Sequence, residues 1–512
     1  RLALGASWFR ERVGCSLLSV EGDPFTLGYA NARLTGHLFA EQERSLIETV
    51  REHFPSTLSF WAIATLVLIN NRSLPDYVLP AHQEEIFGLA SGSEDHYPEL
   101  GPRYHRILNY HAAHDISHWV WDQPVVGCTA FAATGPQTSD GHLIIGRNFD
   151  FEAGRHFDEN KIIGLYRPAK GHAFLSVSWP GMAGAVTGLN DDRIFCSING
   201  AHSEDRDNIG TPVSLVVREV LQYADSIEAA VAIIESAPVF VSDSYLVADG
   251  RAGTAVVIEK SPGKCAVRPM ENGVILQANH FETDAFAQDR GNLDYQREGT
   301  SLARHARLSE LVARARGHID PDLAVEILRD RRAVGDQPLG LGHRSAINAL
   351  IATHSAVADV TDGVLWVSRG PYPLGAFEPY TIESFGHEHA ATIAADPLLD
   401  GDTVRRLTER RALLNTIESE LDDSVLPSPE HITALDAAIH DDVLDWRASY
   451  LRARTADALH DATTAREFYG CARDASPPFH RDRTAIDAAL RRLGSNPKPS
   501  IADGRDENGA SR

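Results

Sequence analysis

Cysteine is scarce in this sequence, and the few cysteines are scattered. The 512 residues contain five cysteines and no CxxC pair, so neither a zinc ribbon nor a dense disulfide scaffold is supported. They are Cys15, Cys128, Cys196, Cys265 and Cys471. Spacing alone leaves open whether those other than Cys128 pair or stay reduced.

Basic charge is also in short supply. Lysine and arginine together number 48 against 71 acidic residues, which gives a net charge of -23. This balance argues against nucleic acid as a partner and against binding to anionic membranes by charge alone. No phosphate-cradling glycine loop is recognisable either, and together these two absences disfavour coenzyme A as a ligand.

A long hydrophobic run is missing as well. The most apolar stretch, Leu58 to Asn70, is too short to span a bilayer. We expect a buried helix here. The alternative is a lid or a membrane-contacting helix beside a lipid-binding cleft.

The most informative stretch runs from Gly127 to Glu152 and reads GCTAFAATGPQTSDGHLIIGRNFDFE. It predicts a strand from Thr129 to Thr134, a polar turn, and a second strand from His142 to Phe151, which together form a β-hairpin. The two-residue period puts Arg147 and Phe149 on one face of that strand, and Asn148 and Asp150 on the other. A twist or bulge near the strand end would still bring Arg147 and Asp150 to the same cysteine.

The order Gly-Cys-Thr, hairpin, Gly-Arg-Asn-x-Asp resembles a known group of enzymes. These are the N-terminal-nucleophile (Ntn) hydrolases of the penicillin acyltransferase-like group, which are related to choloylglycine hydrolase and acid ceramidase. The resemblance implies that the precursor cleaves itself between Gly127 and Cys128. It further implies that Arg147 holds the thiol and the carbonyl side of the substrate, while Asp150 contacts the freed α-amine of Cys128.

The chemistry of such a residue is coherent. A thiolate attacks amide carbonyls well, and a freed α-amine has a pKa of about 7.7 to 8.0, which suits a general base at neutral pH. Cys128 would then supply both the nucleophile and the base. The competing interpretation is a buried core cysteine beside a structural Arg147–Asp150 ion pair.

Three further residues match the group's site. Asn199, in IFCSINGAH, and Asn279, in ILQANHF, are candidate oxyanion donors, because a neutral amide can donate to a developing negative charge. The turn at Asn190-Asp191 competes with Asn199 for the same alignment. Arg304, in SLARHARLSEL, is the candidate for an arginine returned to the site by a helix, with Arg307 as its alternative.

The resemblance and the alternation of strands and helices predict an α+β fold, a four-layer αββα sandwich. We expect a helical pro-segment or small subunit over residues 1–127 and a catalytic domain over 128–395. A helical C-terminal extension over 396–493 and a disordered tail over 494–512 follow. Within the catalytic domain, we expect helices over Thr211 to Ser236 and Thr300 to Arg331, and a strand over Ala346 to His354.

Four histidines precede the motif, and their spacing can bind a metal: His105, His111, His114 and His118. No carboxylate or cysteine pattern accompanies them, so we predict packed histidines, no metal and no cofactor. Aromatic and apolar side chains at Phe149, Phe151, Trp179 and Met182 are candidates for an acyl pocket, or for ordinary core.

We therefore predict an autoprocessed cysteine amidohydrolase that cleaves a non-peptide C–N bond of a small N-acyl substrate through a thioester. The alternatives are an acyltransferase that passes the acyl group to an amine, and a non-catalytic binding or scaffold protein on the same fold. The expected partners are the substrate and the two cleaved fragments themselves, without nucleic acid; membrane contact is the less favoured alternative. The compartment stays open, with a secreted or periplasmic location slightly favoured.

Overall fold

The computed structural model describes residues 1–54, 56–120, 127–151, 156–387, 391–439 and 445–494. The chain forms two compact units, residues 1–404 and residues 405–512. The predicted pro-segment and catalytic domain both lie in the first unit. The predicted disordered tail, from residue 495 onward, lies outside the described residues.

Sixteen strands can be described, numbered in chain order: β1 Leu2–Leu4, β2 Ser7–Arg10, β3 Ser16–Gly22, β4 Thr129–Ala133, β5 Ile144–Asp150, β6 Ile162–Pro168, β7 Phe174–Ser178, β8 Thr187–Asn190, β9 Ile194–Gly200, β10 Asp243–Asp249, β11 Thr254–Lys260, β12 Cys265–Pro269, β13 Val274–Gln277, β14 Ala352–Asp359, β15 Val364–Ser368 and β16 Phe377–Tyr380. They form a ten-stranded sheet, β1-β2-β3-β6-β7-β8-β9-β10-β11-β12, and a six-stranded sheet, β13-β4-β5-β14-β15-β16.

The helices of the described residues are α1 Pro24–His53, α2 Thr57–Asn70, α3 Pro80–Gly92, α4 Arg103–His111, α5 Ala113–Val120, α6 His156–Glu159, α7 Val213–Tyr223, α8 Ile227–Ser236, α9 Arg290–Glu298, α10 Ser301–Arg314, α11 Pro321–Leu328, α12 Thr403–Asp422, α13 Pro429–Ile439, α14 Asp445–Ala458, α15 Ala462–Asp474 and α16 His480–Gly494. None of these described helices combines the length and apolar character that crossing a bilayer requires. In the second unit, small and aromatic side chains of α14, α15 and α16 pack into a core of their own.

The order of layers follows from three apolar cores of the first unit. One core lies between the two sheets and draws on strands of both, such as Leu165 of β6 and Ile145 of β5. A second packs α1, α7 and α8 on the outer face of the ten-stranded sheet, and a third packs α10 and α11 on the outer face of the six-stranded sheet. The order is helix, sheet, sheet, helix, which confirms the predicted αββα class.

The residues ahead of Gly127 contribute strands as well as the predicted helices. β3 pairs in parallel with β6, from Ser16 opposite Ile162 to Gly22 opposite Pro168. α1 begins directly after β3, where the Asp23 side chain accepts a hydrogen bond from the Thr26 amide at 2.8 Å. The segment ahead of Gly127 therefore contributes strands to the ten-stranded sheet.

Three predicted elements differ in detail. The long helix over Thr211 to Ser236 is two helices, because the chain turns after Tyr223 and the Ser226 hydroxyl caps a new helix at Ala229. The strand predicted from Ala346 begins only at Ala352, since the preceding loop is anchored instead by side-chain contacts to its carbonyls. The helix predicted from Thr300 is likewise divided, into α10 and α11.

His111 links the N-terminal helices to the segment that follows Gly127. Its Nδ1 lies 2.8 Å from the carbonyl oxygen of Ile107, and its Nε2 accepts from the Ala183 amide at 2.8 Å. The ring must be neutral to accept there, and burial lowers the pKa of His111 to about 4. Both ring nitrogens are thus committed to protein partners, as the packed-histidine prediction expects.

Below pH 6.5 the unfolded chain therefore protonates His111 while the folded chain does not. The folded pKa lies below the unfolded one, so stability should fall as pH drops from about 6.5 toward about 4, by at most about 1.4 kcal/mol per pH unit for this group. Urea unfolding of the wild type and of His111→Gln across this range measures the effect. Parallel pH dependences for the two proteins would contradict it.

Candidate active site

Cys128 lies at the entrance to β4 and is fully buried. Its Sγ is 3.7 Å from the carbonyl oxygen of Asp150, and the Gly127 amide donates to that same oxygen at 3.1 Å. The Gly127–Cys128 peptide bond is therefore pinned against the end of β5.

The predicted hairpin is present, and its register places the first candidate side chain. Thr129 pairs with Asn148 and Ala130 pairs with Arg147. From this position the Arg147 guanidinium reaches the larger sheet, where it donates to the carbonyls of Val186 and Ile198. It also interacts with the Cys128 thiol, while burial lowers the pKa of Arg147 to about 10.

The opposite face of β5 behaves as the alternation predicts. The Asn148 amide donates to the carbonyls of Leu328 and Ile347, at 2.9 and 3.2 Å, on the α11 side. The expected irregularity also exists, but it lies on the partner strand β14, between Ala352 and His354. It falls opposite Asp150, at the end of the strand.

The Asp150 carboxylate lies beside the Gly127–Cys128 peptide bond. A side-chain carbon added to Gly127 would be 3.3 Å from Asp150 Oδ2 and 3.8 Å from Arg344 Nη2. Gly127 is thus closely surrounded by charged groups, and a larger side chain at this position would have to displace Asp150 or Arg344.

Arg304, in the first turn of α10, connects three parts of the site. Its Nη1 donates to the Cys128 carbonyl at 2.5 Å and to Thr129 Oγ1 at 2.9 Å, and its Nη2 donates to Asn279 Oδ1 at 2.7 Å. Arg307 instead pairs with Asp330 at 2.8 Å. The structure therefore separates the two candidates and brings only Arg304 to the cysteine.

The two asparagine candidates meet where β9 ends. The Asn279 amide donates to the Gly200 carbonyl at 2.8 Å, and the Asn199 amide donates to the Ala278 carbonyl at 3.0 Å. Asn190, the competitor of Asn199, has its amide committed to the carbonyls of Leu221 and Ala224. It closes a turn and is not part of this cluster.

The electrostatics of the thiol follow from its surroundings. Burial raises the pKa of the Cys128 thiol, Arg147 and Arg304 oppose that rise, and Asp150 adds to it. In the uncut chain the desolvation effect is the largest, so the thiol form is favoured over the thiolate.

Tyr295 and Arg344 are among the residues near the thiol that sequence reasoning missed. Tyr295 on α9 is buried enough to raise its pKa to about 12, and it interacts with Arg304, Arg344 and Cys128. Arg344 comes from the loop that Asn148 anchors through Ile347. Neither residue stands in a recognisable motif, so the sequence carries no local signal for them.

The aromatic candidates do come together, in the same apolar core as the cysteine. The Phe149 ring is 6.4 Å from Phe151 and 6.2 Å from Trp179, and Phe157 closes the group at 5.4 Å from Trp179. Met182 packs against the same core, which includes Cys128. An apolar wall of this kind fits an acyl group, although the same contacts also serve the core.

Two clusters in the described residues have the composition of a metal site. His142 lies with Asp359 and Asp362, and a second histidine lies with two aspartates on another surface turn, His172 with Asp191 and Asp192. His142 Nδ1 is 2.9 Å from Asp359, so an ion pair accounts for the contact. Neither cluster contains a predicted catalytic residue.

Part of the chain matches a known protein family. Residues 137–339 match the family model described as acyl-coenzyme A:6-aminopenicillanic acid acyl-transferase. The match confirms, over these residues, the resemblance to the penicillin acyltransferase-like group. It covers Arg147, Asp150, Asn199, Asn279 and Arg304 and begins after Cys128.

Individual relatives are more distant. An uncharacterised protein of Archaeoglobus fulgidus is 27% identical over 352 residues, which are 62% of this chain and 58% of that protein. The chain thus spans little more than half the length of this relative.

Two solved structures show a weak similarity to this chain. The Caenorhabditis elegans ortholog of N-acylethanolamine-hydrolyzing acid amidase is 19% identical, with a TM-score of 0.34 over 46% of this chain and 93% of that one. A mutant of conjugated bile acid hydrolase from Clostridium perfringens is 15% identical, with a TM-score of 0.36 over 52% of this chain and 97% of that one. Scores this low support no conclusion about this chain.

Proposed function

We propose that the chain is a precursor that cleaves its own Gly127–Cys128 bond and then hydrolyses the amide bond of a small N-acyl compound. The observation that carries the proposal is the environment of that bond. Arg304 holds the Cys128 carbonyl, Asp150 lies beside Gly127, and Arg147 contacts the thiol.

Maturation would proceed by an N-to-S acyl shift. The Cys128 thiol loses its proton and Sγ attacks the Gly127 carbonyl carbon, so that a C–S bond forms as the C–N bond breaks and the Cys128 nitrogen takes a proton. Water then hydrolyses this thioester, leaving a carboxylate on Gly127, a free thiol and a free α-amine on Cys128. The lack of a side chain on Gly127 leaves room for the attack in the crowded corner beside Asp150.

Catalysis would reuse the same groups. The α-amine accepts the thiol proton, Sγ attacks the substrate carbonyl, the amine product leaves with that proton, and water releases the acid from the thioester. Asp150 orients the protons of the α-amine and Arg147 favours the thiolate. Asn199 and Asn279 are the proposed oxyanion donors; losing one such donor typically costs about 2.7 to 4 kcal/mol of transition-state stabilisation.

Acyl transfer is the second candidate function. It is favoured by the family model, whose description names an acyltransferase that uses an acyl-coenzyme A. Replacing water with an amine in the last step would give this outcome from the same thioester. The net charge of -23 disfavours binding of an anionic coenzyme A donor. Hydrolysis therefore remains the first candidate.

The two fragments would remain associated after cleavage. Arg218 of α7 forms a bidentate pair with Glu85 of α3, at 3.2 and 3.0 Å, with both side chains buried. His114 of α5 contacts Asp243 of β10 at 3.0 Å. These polar contacts join residues on the two sides of the proposed cleavage point, in addition to the β3–β6 pairing.

Intact-mass analysis tests the proposal. We expect the wild type to separate on a denaturing gel into fragments that end at Gly127 and begin at Cys128, and Cys128→Ala to stay whole. Cys471→Ala, at an exposed cysteine of the second unit, is the matched control and should be cleaved normally. An uncleaved wild type that still binds an N-acyl compound would favour a non-catalytic binding protein instead.

Arg304 and Arg307 provide a pair of variants on the same helix. Arg304→Gln should slow cleavage and turnover about a hundredfold, because the Cys128 carbonyl and Asn279 both lose a charged donor. Arg307→Gln should lower the unfolding temperature through its lost ion pairs and leave the cleavage rate close to that of the wild type. Cleavage rates measured by gel at a temperature where both variants are folded distinguish them. Equal loss in both would remove Arg304 from the proposed site.

A further inference from the structure

His354 lies near the proposed nucleophile and belongs to none of the motifs. It stands on β14 opposite Phe149, directly after the β-bulge, and is fully buried. Its ring centre is 5.1 Å from that of Phe149 and 6.1 Å from that of Trp179. Its Nε2 is 2.8 Å from the hydroxyl of Thr187.

The Thr187 hydroxyl is shared between two partners. Arg147 Nη1 donates to Thr187 Oγ1, and the same oxygen contacts His354 Nε2. A hydroxyl has one hydrogen to give and can accept at its lone pairs. Because the cationic guanidinium occupies one side of the oxygen, the hydroxyl hydrogen is directed away from Arg147 and toward His354.

Counting hydrogens selects one tautomer of His354. Its Nδ1 has no hydrogen-bond partner among the described residues. If Nε2 carried the proton, both Nδ1 and the Thr187 hydrogen would be left without a partner there. If Nδ1 carries the proton, Thr187 donates to Nε2, and only the Nδ1 hydrogen is left without a partner. This second tautomer therefore satisfies more of the hydrogen-bonding groups.

We propose that His354 is a positioning residue, which acts through the Thr187 hydroxyl to hold the Arg147 guanidinium against the Cys128 thiol. With its hydrogen committed to His354, Thr187 presents a lone pair to Arg147 at all times. The carbonyls of Val186 and Ile198 accept hydrogen bonds from Nη1 and Nη2 of the same guanidinium. The inference rests on the proposed function for its catalytic consequence, though not for its geometry.

The surroundings keep His354 in the form that the arrangement needs. Burial and the nearby charges of Arg147 and Lys161 lower its pKa well below the ordinary value, so the ring stays neutral and Nε2 remains an acceptor. Packing alone does not require an imidazole here. A phenylalanine would fill the space between Phe149 and Trp179 without burying polar nitrogens.

Variants at both positions test the inference through the thiol itself. Alkaline titration of thiolate absorbance, with the same variant carrying Cys128→Ala subtracted, reports the pKa of Cys128 without requiring turnover. His354→Phe keeps the ring and removes the acceptor, and we expect it to raise this pKa by about one unit, because Arg147 stabilises the thiolate less well. His354→Gln places an amide oxygen near the position of Nε2 and should restore most of the shift.

Thr187 supplies the second arm. Thr187→Val removes the hydroxyl at nearly constant shape and should raise the pKa of Cys128 as His354→Phe does, while Thr187→Ser should not. Combining Thr187→Val with His354→Phe should add no further shift, since both break one chain of contacts. If cleavage occurs, its rate at a fixed pH should fall about tenfold in both single variants, as a one-unit shift requires.

Several outcomes would overturn the inference. An unchanged thiol pKa in folded His354→Phe would reduce His354 to core packing, and additive shifts in the double variant would mean that the residues act separately. Should His354→Phe fail to fold, the pKa of Cys128 measured in Thr187→Val and in His354→Gln still tests the inference. A wild type that is never cleaved, yet shows these pKa shifts, would refute the proposed function and leave the positioning network intact.

Discussion

Two buried guanidinium groups carry the constraint on which this site depends. Arg147 interacts with the Cys128 thiol and Arg304 with the Cys128 carbonyl, and both guanidinium groups are almost completely removed from water. A buried cation needs acceptors on nearly every donor, and these come from chain segments far apart in sequence: the β8 and β9 region for Arg147, and Cys128, Thr129 and Asn279 for Arg304. Satisfying the two arginines therefore forces the hairpin, the larger sheet and α10 into one relative position.

Burial of the same site also explains why the Cys128 thiol stays protonated in the uncut chain. The positive charges that would stabilise a thiolate are present, but desolvation outweighs them and the thiol pKa is raised. A newly formed α-amine would add a base within the same residue. Cleavage would thus change the protonation chemistry of the site without any large movement of the surrounding side chains.

The sequence predicted the elements whose signals are local. The hairpin from Thr129 to Asp150 combines strand patterns with a polar turn, and its register follows from the two-residue period. The choice between Arg304 and Arg307 could not be made from sequence, because three residues along a helix leave the two side chains on nearly the same face. Only the positions of Asp330 and Cys128 separate them.

Other features depend on contacts that no local pattern encodes. His354, Thr187 and Arg344 reach the site through pairings between distant strands and an anchored loop, so nothing in their neighbouring residues marks them. The late start of β14 has a similar origin, since Asn148, nearly 200 residues upstream, holds the loop at Ile347 in an irregular path. The strands ahead of α1 were also not predicted; β3, the longest of them, pairs with β6 far downstream, a contact that no local pattern encodes.

The parallel pairing of β3 with β6 affects both the folding of the protein and the fate of its N-terminal segment after cleavage. β3 lies inside the ten-stranded sheet, so losing the segment ahead of Gly127 would remove one of the two neighbours of β6 and expose a hydrophobic edge. The N-terminal part would then be a permanent structural component, unlike an inhibitor that departs. During synthesis it must also wait for β6, some 140 residues later, before its sheet can close. A cut at Gly127 made before that closure would separate two pieces that had never been joined.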